Sequence, residues 1–308
     1  MSSTPSASRP APMGAGGENI VRGIVFMLIS VACMSTMDGL AKWVVASVAV
    51  PQMIALRSVI VLALAAVMVA RAGGMSMLAT RRPRGHALRI ILSVGAMLTF
   101  FEGLRQLPLA TAISLGFSAP LFMTALSVPF LGERVGPHRW AAVAVGFIGV
   151  LIVVQPGGEG TLSWPALLVV ASAMFFAGVM LTVRSLAPTE SDAAMIVYQN
   201  FGVLLVTGLI APFVWSWPTG GELVVIAAMG VILVASQLAM QRSFRAAPVG
   251  AVAPFQYTEL LWASLFGYAI WNEIPGWNVW CGAAVIVASG LYVIWRETHV
   301  RSVGGSRS

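Results

Sequence analysis

Apolar stretches of about 20 residues follow one another along almost the whole chain, separated by short connections rich in Gly, Pro or Arg. A stretch of this length spans the hydrocarbon core of a bilayer when it is helical. Only 9% of the 308 residues are charged, whereas soluble domains contain roughly 25%. Because such a chain cannot form a water-facing surface, the sequence predicts an all-α integral membrane protein.

About ten transmembrane helices account for nearly all of the sequence, which leaves no room for a soluble catalytic domain. We expect them over residues 22–48, 51–70, 87–107, 109–131, 138–154, 164–186, 192–215, 222–243, 248–271 and 277–295. Residues 1–19 are rich in Ser, Pro, Gly and Ala and are expected to form a disordered cytoplasmic tail. Residues 298–308 are expected to form a second cytoplasmic tail.

The distribution of basic residues predicts the orientation, because cytoplasmic loops are enriched in Lys and Arg. With both termini in the cytoplasm, most of the arginines fall on the inner side, including a basic connection around Arg81, Arg82 and Arg84. Only Lys42, Arg57 and Arg105 then fall in the outer half. The net charge of +7 therefore reflects topology, and no nucleic-acid partner is expected.

An internal repeat at a register of 140 residues divides the chain into two units, residues 20–155 and 156–297. The matched pairs are Arg105 and Arg245, Pro108 and Pro248, Glu133 and Glu273, Gly136 and Gly276, and Trp140 and Trp280. Five spans are an odd number, so the two units would insert with opposite topology. Such inverted five-helix repeats recur in secondary transporters, which bind substrate near the midplane between the halves.

The repeat ends also resemble those of the EamA family in the drug/metabolite transporter superfamily. The stretch LGERVGPHRWAAVAVGFIGVLIVV is similar to the family's repeat ending, and WNEIPGWNVWCGAAVIVASGLYVI departs from it in that Asn272 replaces the usual Gly. The resemblance covers residues 22–295. It implies ten helices around a central cavity, alternating access, and a multi-pass protein of the bacterial inner membrane.

A narrower resemblance lies in MSTMDGLAKWV and PQMIALRS, which contain Asp38, Lys42 and Arg57. This arrangement is similar to that of a bacterial subgroup, some members of which import S-adenosylmethionine or riboflavin. The resemblance does not select a substrate for this chain.

Charged residues inside spans are functional candidates by default. Asp38 and Lys42 share one helical face and are spaced to pair. Asp38, Arg57 and Glu102 are expected at a similar depth below the outer boundary, so the four residues are candidates for an outer gate. The alternative is a permanent structural ion pair, with Lys42 and Arg105 snorkelling to the interface.

Glu259 lies about mid-span in the ninth predicted helix, near Gln256 and Tyr257. These three residues are candidates for a central site, in which Glu259 would carry a coupled proton or bind a substrate ammonium. The alternative is a protonated, hydrogen-bonded Glu in the protein core.

Tyr198 and Gln199 are candidates for an inner gate, since inverted symmetry places them opposite Arg57. Gln237 and Ser114 are candidate cavity-lining residues, and for these polar groups helix-to-helix hydrogen bonding is the alternative.

Two structural features accompany these candidates. Pro120 and Pro254 interrupt the paired fourth and ninth spans and could act as hinges. Gly95, Thr99 and Gly103 are expected to form a close-packing face.

We therefore expect a secondary transporter that moves an amino-acid-like or otherwise zwitterionic solute, with proton coupling. Its expected partners are the solute and the bilayer. No catalytic residue, metal or cofactor is expected, and the coupling ion, the direction of transport and the oligomeric state, including a homodimer, stay open. The alternatives are an intramembrane enzyme acting on a lipid or lipid-linked substrate, and a passive channel.

Overall fold

The computed structural model describes residues 15–72, 74, 78–132, 136–155, 163–186 and 188–304, and we describe the fold over these residues. The helices are α1 (Ala15–Val44), α2 (Val50–Ala72), α3 (Pro83–Gln106), α4 (Leu109–Gly116), α5 (Ala119–Leu131), α6 (Pro137–Val154), α7 (Trp164–Leu186), α8 (Asp192–Ile210), α9 (Gly220–Ala246), α10 (Val249–Val252), α11 (Glu259–Trp271) and α12 (Trp277–Gly304). Two 3₁₀ segments follow α8 and α10, at Ala211–Val214 and Ala253–Thr258.

These helices confirm an all-α membrane protein with about ten spans. Among the described residues, eight segments are long and apolar enough to cross a bilayer, and α4 with α5 counts as one of them. The ninth predicted span is the interrupted run from α10 to α11, and the tenth corresponds to the apolar part of α12, Trp277–Val293. The predicted ends differ at both termini, since α1 already begins at Ala15 and α12 continues to Gly304. Glu133, one member of the predicted repeat, lies outside the described residues.

Helices from the two halves of the chain pack against each other in pairs. Helix α1 packs on α9, α3 on α7, α2 on α8, α6 on α12, and α4 on α11. Each pair combines one helix from residues 15–154 with one from residues 164–304. The largest cluster of buried apolar side chains lies between these pairs, so the interior of the bundle is the interface between the halves.

Small residues permit the closest crossings, as expected for helices packed in lipid. A Cβ atom at Gly103 in α3 would lie 2.5 Å from Val169 and 2.8 Å from the Pro165 carbonyl of α7. This contact confirms the predicted close-packing face on α3. Gly149 and Gly282 bring α6 and α12 together in the same way, because a Cβ on either residue would lie within 3 Å of the other's carbonyl.

The two prolines singled out in the sequence lie beside breaks in their helices. Pro120 is in the first turn of α5, directly after the turn at Phe117 and Ser118 that separates α5 from α4. Pro254 is in the first turn of the 3₁₀ segment that separates α10 from α11. Such breaks leave backbone groups without helical partners, and in transporters they occur where the backbone lines a cavity. A hinge role for the two positions stays a prediction.

The structure explains why Asn272 can replace the Gly that is usual at this position of the repeat. Asn272 ends α11 in the left-handed conformation with φ 55°, as Gly132 ends α5 with φ 66°. Asn is the residue other than Gly that adopts this conformation most readily. The following Glu273 N–H then donates to the Gly267 carbonyl at 3.0 Å, so Asn272 sets the direction in which Glu273 leaves the helix.

Candidate functional site

A buried arginine on α2 forms the centre of the candidate site. Arg57 is 3% exposed, and its guanidinium group lies 3.6 Å from both the Met37 and the Met97 sulfur atoms. Its Cζ atom lies 5.4 Å from the centroid of the Phe101 ring, a cation–π distance. The Nε atom has no hydrogen-bond partner. A guanidinium group in such weakly polar surroundings retains most of its capacity to bind an anion.

One carboxylate lies near this arginine, and a second lies near the first. Asp38 on α1 is also 3% exposed; it attracts Arg57 electrostatically and repels Glu259 of α11. Within the described part of the chain, neither carboxylate forms an ion pair with Arg57 within 4.0 Å. The structure therefore brings Asp38 near Arg57, as predicted, and places Glu259 near Asp38.

The break in the ninth span positions Glu259. The 3₁₀ segment ends at Thr258, and Glu259 is the first residue of α11. The Ser35 hydroxyl donates a long hydrogen bond of 3.5 Å to the Glu259 carbonyl, which links α1 to this break. The side chain is half-buried.

Gln256 and Tyr257 lie in the same 3₁₀ segment and are half-buried. The Tyr257 ring packs edge-on against Phe117, with 5.1 Å between the ring centroids. Phe117 lies in the break between α4 and α5. The two interrupted spans therefore contact each other through these aromatic rings, two residues before Glu259.

Lys42 does not pair with Asp38, although their spacing on α1 permits it. Its ammonium group forms an ion pair with Glu273 and donates to the Leu107 carbonyl at 2.8 Å. The side chain is 8% exposed, so the expectation that Lys42 snorkels to the interface is wrong. The other Glu273 oxygen accepts the Leu109 N–H at 2.9 Å, and one carboxylate thus joins α1 to the start of α4.

Three further candidates are not drawn into the charged centre. Glu102 is half-buried and forms no ion pair within 4.0 Å with a described residue. Gln237 on α9 is also half-buried. Ser114 is fully buried, and its hydroxyl donates to the Ala110 carbonyl of its own helix at 2.7 Å. Ser114 thus bonds within its own helix.

The predicted inner-gate residues on α8 both contact the first half of the chain. The Tyr198 hydroxyl donates to the Leu78 carbonyl at 2.8 Å. Gln199 donates from Nε2 to the Ser93 hydroxyl at 3.1 Å. The first contact joins α8 to the connection before α3, and the second joins α8 to α3 itself. Both contacts would have to break if the two halves separated here.

A contact between His86 and Glu190 near these residues was not expected from the sequence, in which His86 stood alone at the end of a span. His86 Nε2 lies 3.3 Å from a Glu190 oxygen, and the other oxygen accepts the Arg81 N–H at 3.1 Å. Burial of Glu190 raises its pKa, but the hydrogen bonds from Arg81, Thr80 and His86 outweigh this, so the pKa lies below its usual range. Because 104 residues separate the partners, no local pattern could reveal them.

Corresponding contacts on the opposite side were also not expected. Gln52, at the start of α2, donates to the Ser216 carbonyl at 2.6 Å and accepts the Ser216 N–H at 3.0 Å. The Ser47 hydroxyl donates to the Glu222 carboxylate at the start of α9. Polar contacts between the halves therefore lie on both sides of the charged centre.

Comparisons with known proteins identify the family. The model of the EamA-like transporter family matches residues 21–155. A riboflavin transporter of Rhizobium johnstonii is 31% identical over 231 residues, which cover 73% of this chain and 74% of the relative. An S-adenosylmethionine uptake transporter of Rickettsia felis is 30% identical over 229 residues, which cover 74% and 78% of the two chains.

The chain belongs to the EamA family of drug/metabolite transporters. A protein of known crystal structure superposes on this EamA transporter with a TM-score of 0.63 at 17% identity, over 90% of this chain and 98% of the other. That likeness confirms the fold. Family membership makes the protein a multi-pass transporter of small metabolites and excludes the alternative of an intramembrane enzyme.

Proposed function

We propose that this EamA transporter moves an amino-acid-like, zwitterionic metabolite by proton-coupled alternating access. The observation that carries the proposal is a group of three charges, in which the buried Asp38 lies near the buried Arg57 and near the half-buried Glu259, without an ion pair to Arg57. Charged groups inside a bilayer are costly and persist where they serve binding or transport. A zwitterion carries one negative and one positive charge. It can therefore supply a carboxylate to Arg57 and an ammonium to the two acidic residues.

The chemistry of each group suggests how the solute would lie. A substrate carboxylate would bind Arg57, whose Nε has no partner and whose planar group can donate two parallel hydrogen bonds. A substrate ammonium would lie between Asp38 and Glu259. The half-buried Tyr257 and Gln256 would contact the remainder of the solute, and Gln237 and Ser114 stay candidates for the cavity wall.

The two carboxylates also supply a route to proton coupling. Asp38 and Glu259 repel each other, and a proton on either one removes that repulsion. A substrate ammonium would do the same and would release the proton. Competition between the two cations for one carboxylate pair couples solute movement to proton movement in the opposite direction, with Glu259 as the proton carrier.

The pairing of helices supports two inverted repeats, residues 20–155 and 156–297, that move relative to each other. An operation that exchanges the halves converts the α1–α9 pair into the α7–α3 pair, and it maps the α2–α8 and α6–α12 pairs onto themselves. The fourth and ninth spans, which the operation also exchanges, meet through the α4–α11 pair. All five pairs are present. Such an interface can open on either side of a midplane site, whereas a passive channel would need no alternation.

The polar contacts on the two sides fit the gates of this mechanism. With both termini in the cytoplasm of a bacterium and the protein in the inner membrane, Tyr198, Gln199 and the His86–Glu190 pair would close the inner side. Lys42 with Glu273, and Gln52 with Ser216, would close the outer side. Opening either gate would require these few charged or polar contacts to exchange for contacts with water.

The relatives suggest the first solutes to test. Their names cite S-adenosylmethionine, a zwitterion with an additional sulfonium, and riboflavin, which has no amino-acid group. Purified transporter in liposomes would be given each solute and a pool of amino acids, with the lumen either acidic or alkaline. We expect accumulation of a zwitterionic solute in acidic lumens and no accumulation without a pH gradient.

The variant Glu259→Gln separates coupling from binding. It should exchange labelled for unlabelled solute but should fail to accumulate solute in response to the gradient. Glu297→Gln makes the same chemical change near the end of α12 and serves as the matched control. Equal transport with and without a gradient, unchanged in Glu259→Gln, would show that Glu259 does not carry a proton. Transport of riboflavin alone would overturn the zwitterionic substrate class.

A further inference from the structure

A cavity of about 620 Å³ lies between the start of α3 and the end of α7, away from the charged centre. Three arginines within four residues, Arg81, Arg82 and Arg84, contribute to its lining, and all three are exposed. Arg82 is held in place by a hydrogen bond of 3.1 Å from its guanidinium group to the Ser185 carbonyl. The cavity therefore has a strongly basic rim, and one of its arginines is bound to the end of α7.

The described residues do not neutralise this rim. None of the three guanidinium groups forms an ion pair within 4.0 Å with a described carboxylate. Glu190, the acidic residue next to Arg81 in the fold, is already bound to His86 and to the Arg81 backbone N–H. In addition, α3 begins at the cavity and no side chain caps its first turn, so the positive end of its dipole adds to the charge.

The other wall of the same cavity is apolar. Leu88, Phe130, Leu181 and Leu186 line it. Leu88 is 42% exposed and Phe130 is 55% exposed, and both belong to helices that span the bilayer. Leu88 and Phe130 would therefore face acyl chains of the bilayer, directly beside the basic rim.

We propose that this cavity binds the headgroup of an anionic phospholipid. The phosphodiester would contact the guanidinium groups of Arg81, Arg82 and Arg84, and the first part of an acyl chain would lie against Leu88 and Phe130. The combination of a basic rim with an exposed apolar wall matches the two chemically different parts of a lipid, and basic pockets between membrane helices at the cytoplasmic side bind such headgroups. A free phosphate would use only the rim.

Native mass spectrometry and thermal unfolding of the purified transporter can test this site. Protein in neutral detergent would be titrated with phosphatidylglycerol, with phosphatidylcholine and with inorganic phosphate. We expect phosphatidylglycerol to be retained and to raise the unfolding temperature at roughly 10- to 100-fold lower concentration than phosphatidylcholine. The triple variant Arg81→Gln, Arg82→Gln, Arg84→Gln should lose this preference.

Two further variants show which part of the lipid is recognised. The matched control, Arg71→Gln, Arg105→Gln, Arg245→Gln, removes the same charge from exposed positions elsewhere and should keep the preference. The pair Leu88→Ser, Phe130→Ser should weaken lipid binding several-fold while the arginines stay in place. Equal loss in both arginine variants would show general charge attraction, and stabilisation by inorganic phosphate as large as that by lipid would show a phosphate site; either result would overturn the proposal.

Discussion

The Lys42 ammonium group and the Glu273 carboxylate form an ion pair across 231 residues of sequence. The pair joins the end of α1 to the connection between α11 and α12. Because Glu273 also accepts the Leu109 N–H and Lys42 also donates to the Leu107 carbonyl, four segments meet at this point. In the proposed mechanism, this point belongs to the outer gate.

Removing one partner of this pair should destabilise the transporter. Lys42→Met leaves the Glu273 carboxylate with only the Leu109 N–H, and Glu273→Gln leaves a charged Lys42 that is 8% exposed. For each single variant we expect a loss of about 2–4 kcal/mol in the free energy of unfolding, measured by denaturant titration in detergent. The double variant should lose less than the sum of the two losses. Strictly additive losses would show that the two charges do not interact.

Arg57→Lys should not preserve substrate binding, although it keeps the positive charge. The cage formed by Met37, Met97 and Phe101 accommodates a planar group, and an ammonium cannot form two parallel hydrogen bonds with a carboxylate. We expect the Kd for a transported zwitterion to rise roughly 10- to 100-fold.

A decarboxylated amine that is otherwise identical to the solute provides the control for Arg57. It should bind the wild type and the variant equally well, because it lacks the group that Arg57 is proposed to hold. Competition binding measures both ligands under the same conditions. If Arg57→Lys weakens the amine as much as the zwitterion, the residue supports the fold of the site and does not contact the substrate carboxylate.

Gly103→Ala should destabilise the bundle, because the added methyl group would collide with Val169 and with the Pro165 carbonyl. Backbone cannot give way as a side chain can, and we expect a loss of about 1–3 kcal/mol. Gly208→Ala on α8 is the matched control, since a Cβ at that position has nothing within 4 Å. The control should be neutral or slightly stabilising, since Ala favours a helix over Gly. A smaller loss at Gly103 than at Gly208 would contradict the α3–α7 contact.

Glu190 should make the proposed inner gate sensitive to acid. Its pKa in the folded protein lies below the ordinary value of 4.5, so the stability it contributes is present above that value and is lost as the pH falls through the lower, folded-state pKa. The unfolding temperature of the wild type should therefore fall more steeply below about pH 4.5 than that of Glu190→Gln.

His86→Gln identifies which partner matters for this response. It removes the ion pair but leaves the hydrogen bonds that Glu190 accepts from Arg81 and Thr80, so it should retain part of the acid sensitivity. Parallel curves for the wild type and Glu190→Gln between pH 3 and 6, measured in buffers of constant ionic strength, would exclude a contribution from Glu190.

Several parts of the site followed from the sequence because the bilayer makes them conspicuous. Asp38, Arg57 and Glu259 stood out since charges within apolar spans are rare, and the structure places Asp38 near each of the other two. Pro120 and Pro254 indicated breaks because proline removes a backbone hydrogen bond. The glycines of α3 indicated a close crossing. In each case the physical effect belongs to one residue type and does not depend on the neighbouring residues in the sequence.

The sequence by itself determined the solvent, the helical class, the approximate spans and the charged residues that a membrane protein must accommodate, since these depend on hydropathy and local geometry. The tertiary structure decided the partners. Lys42 binds Glu273 and not Asp38, and His86 binds Glu190, because helices distant in sequence pack side by side and a buried charge is stabilised by an opposite charge nearby. Only packing specifies which helix that charge comes from.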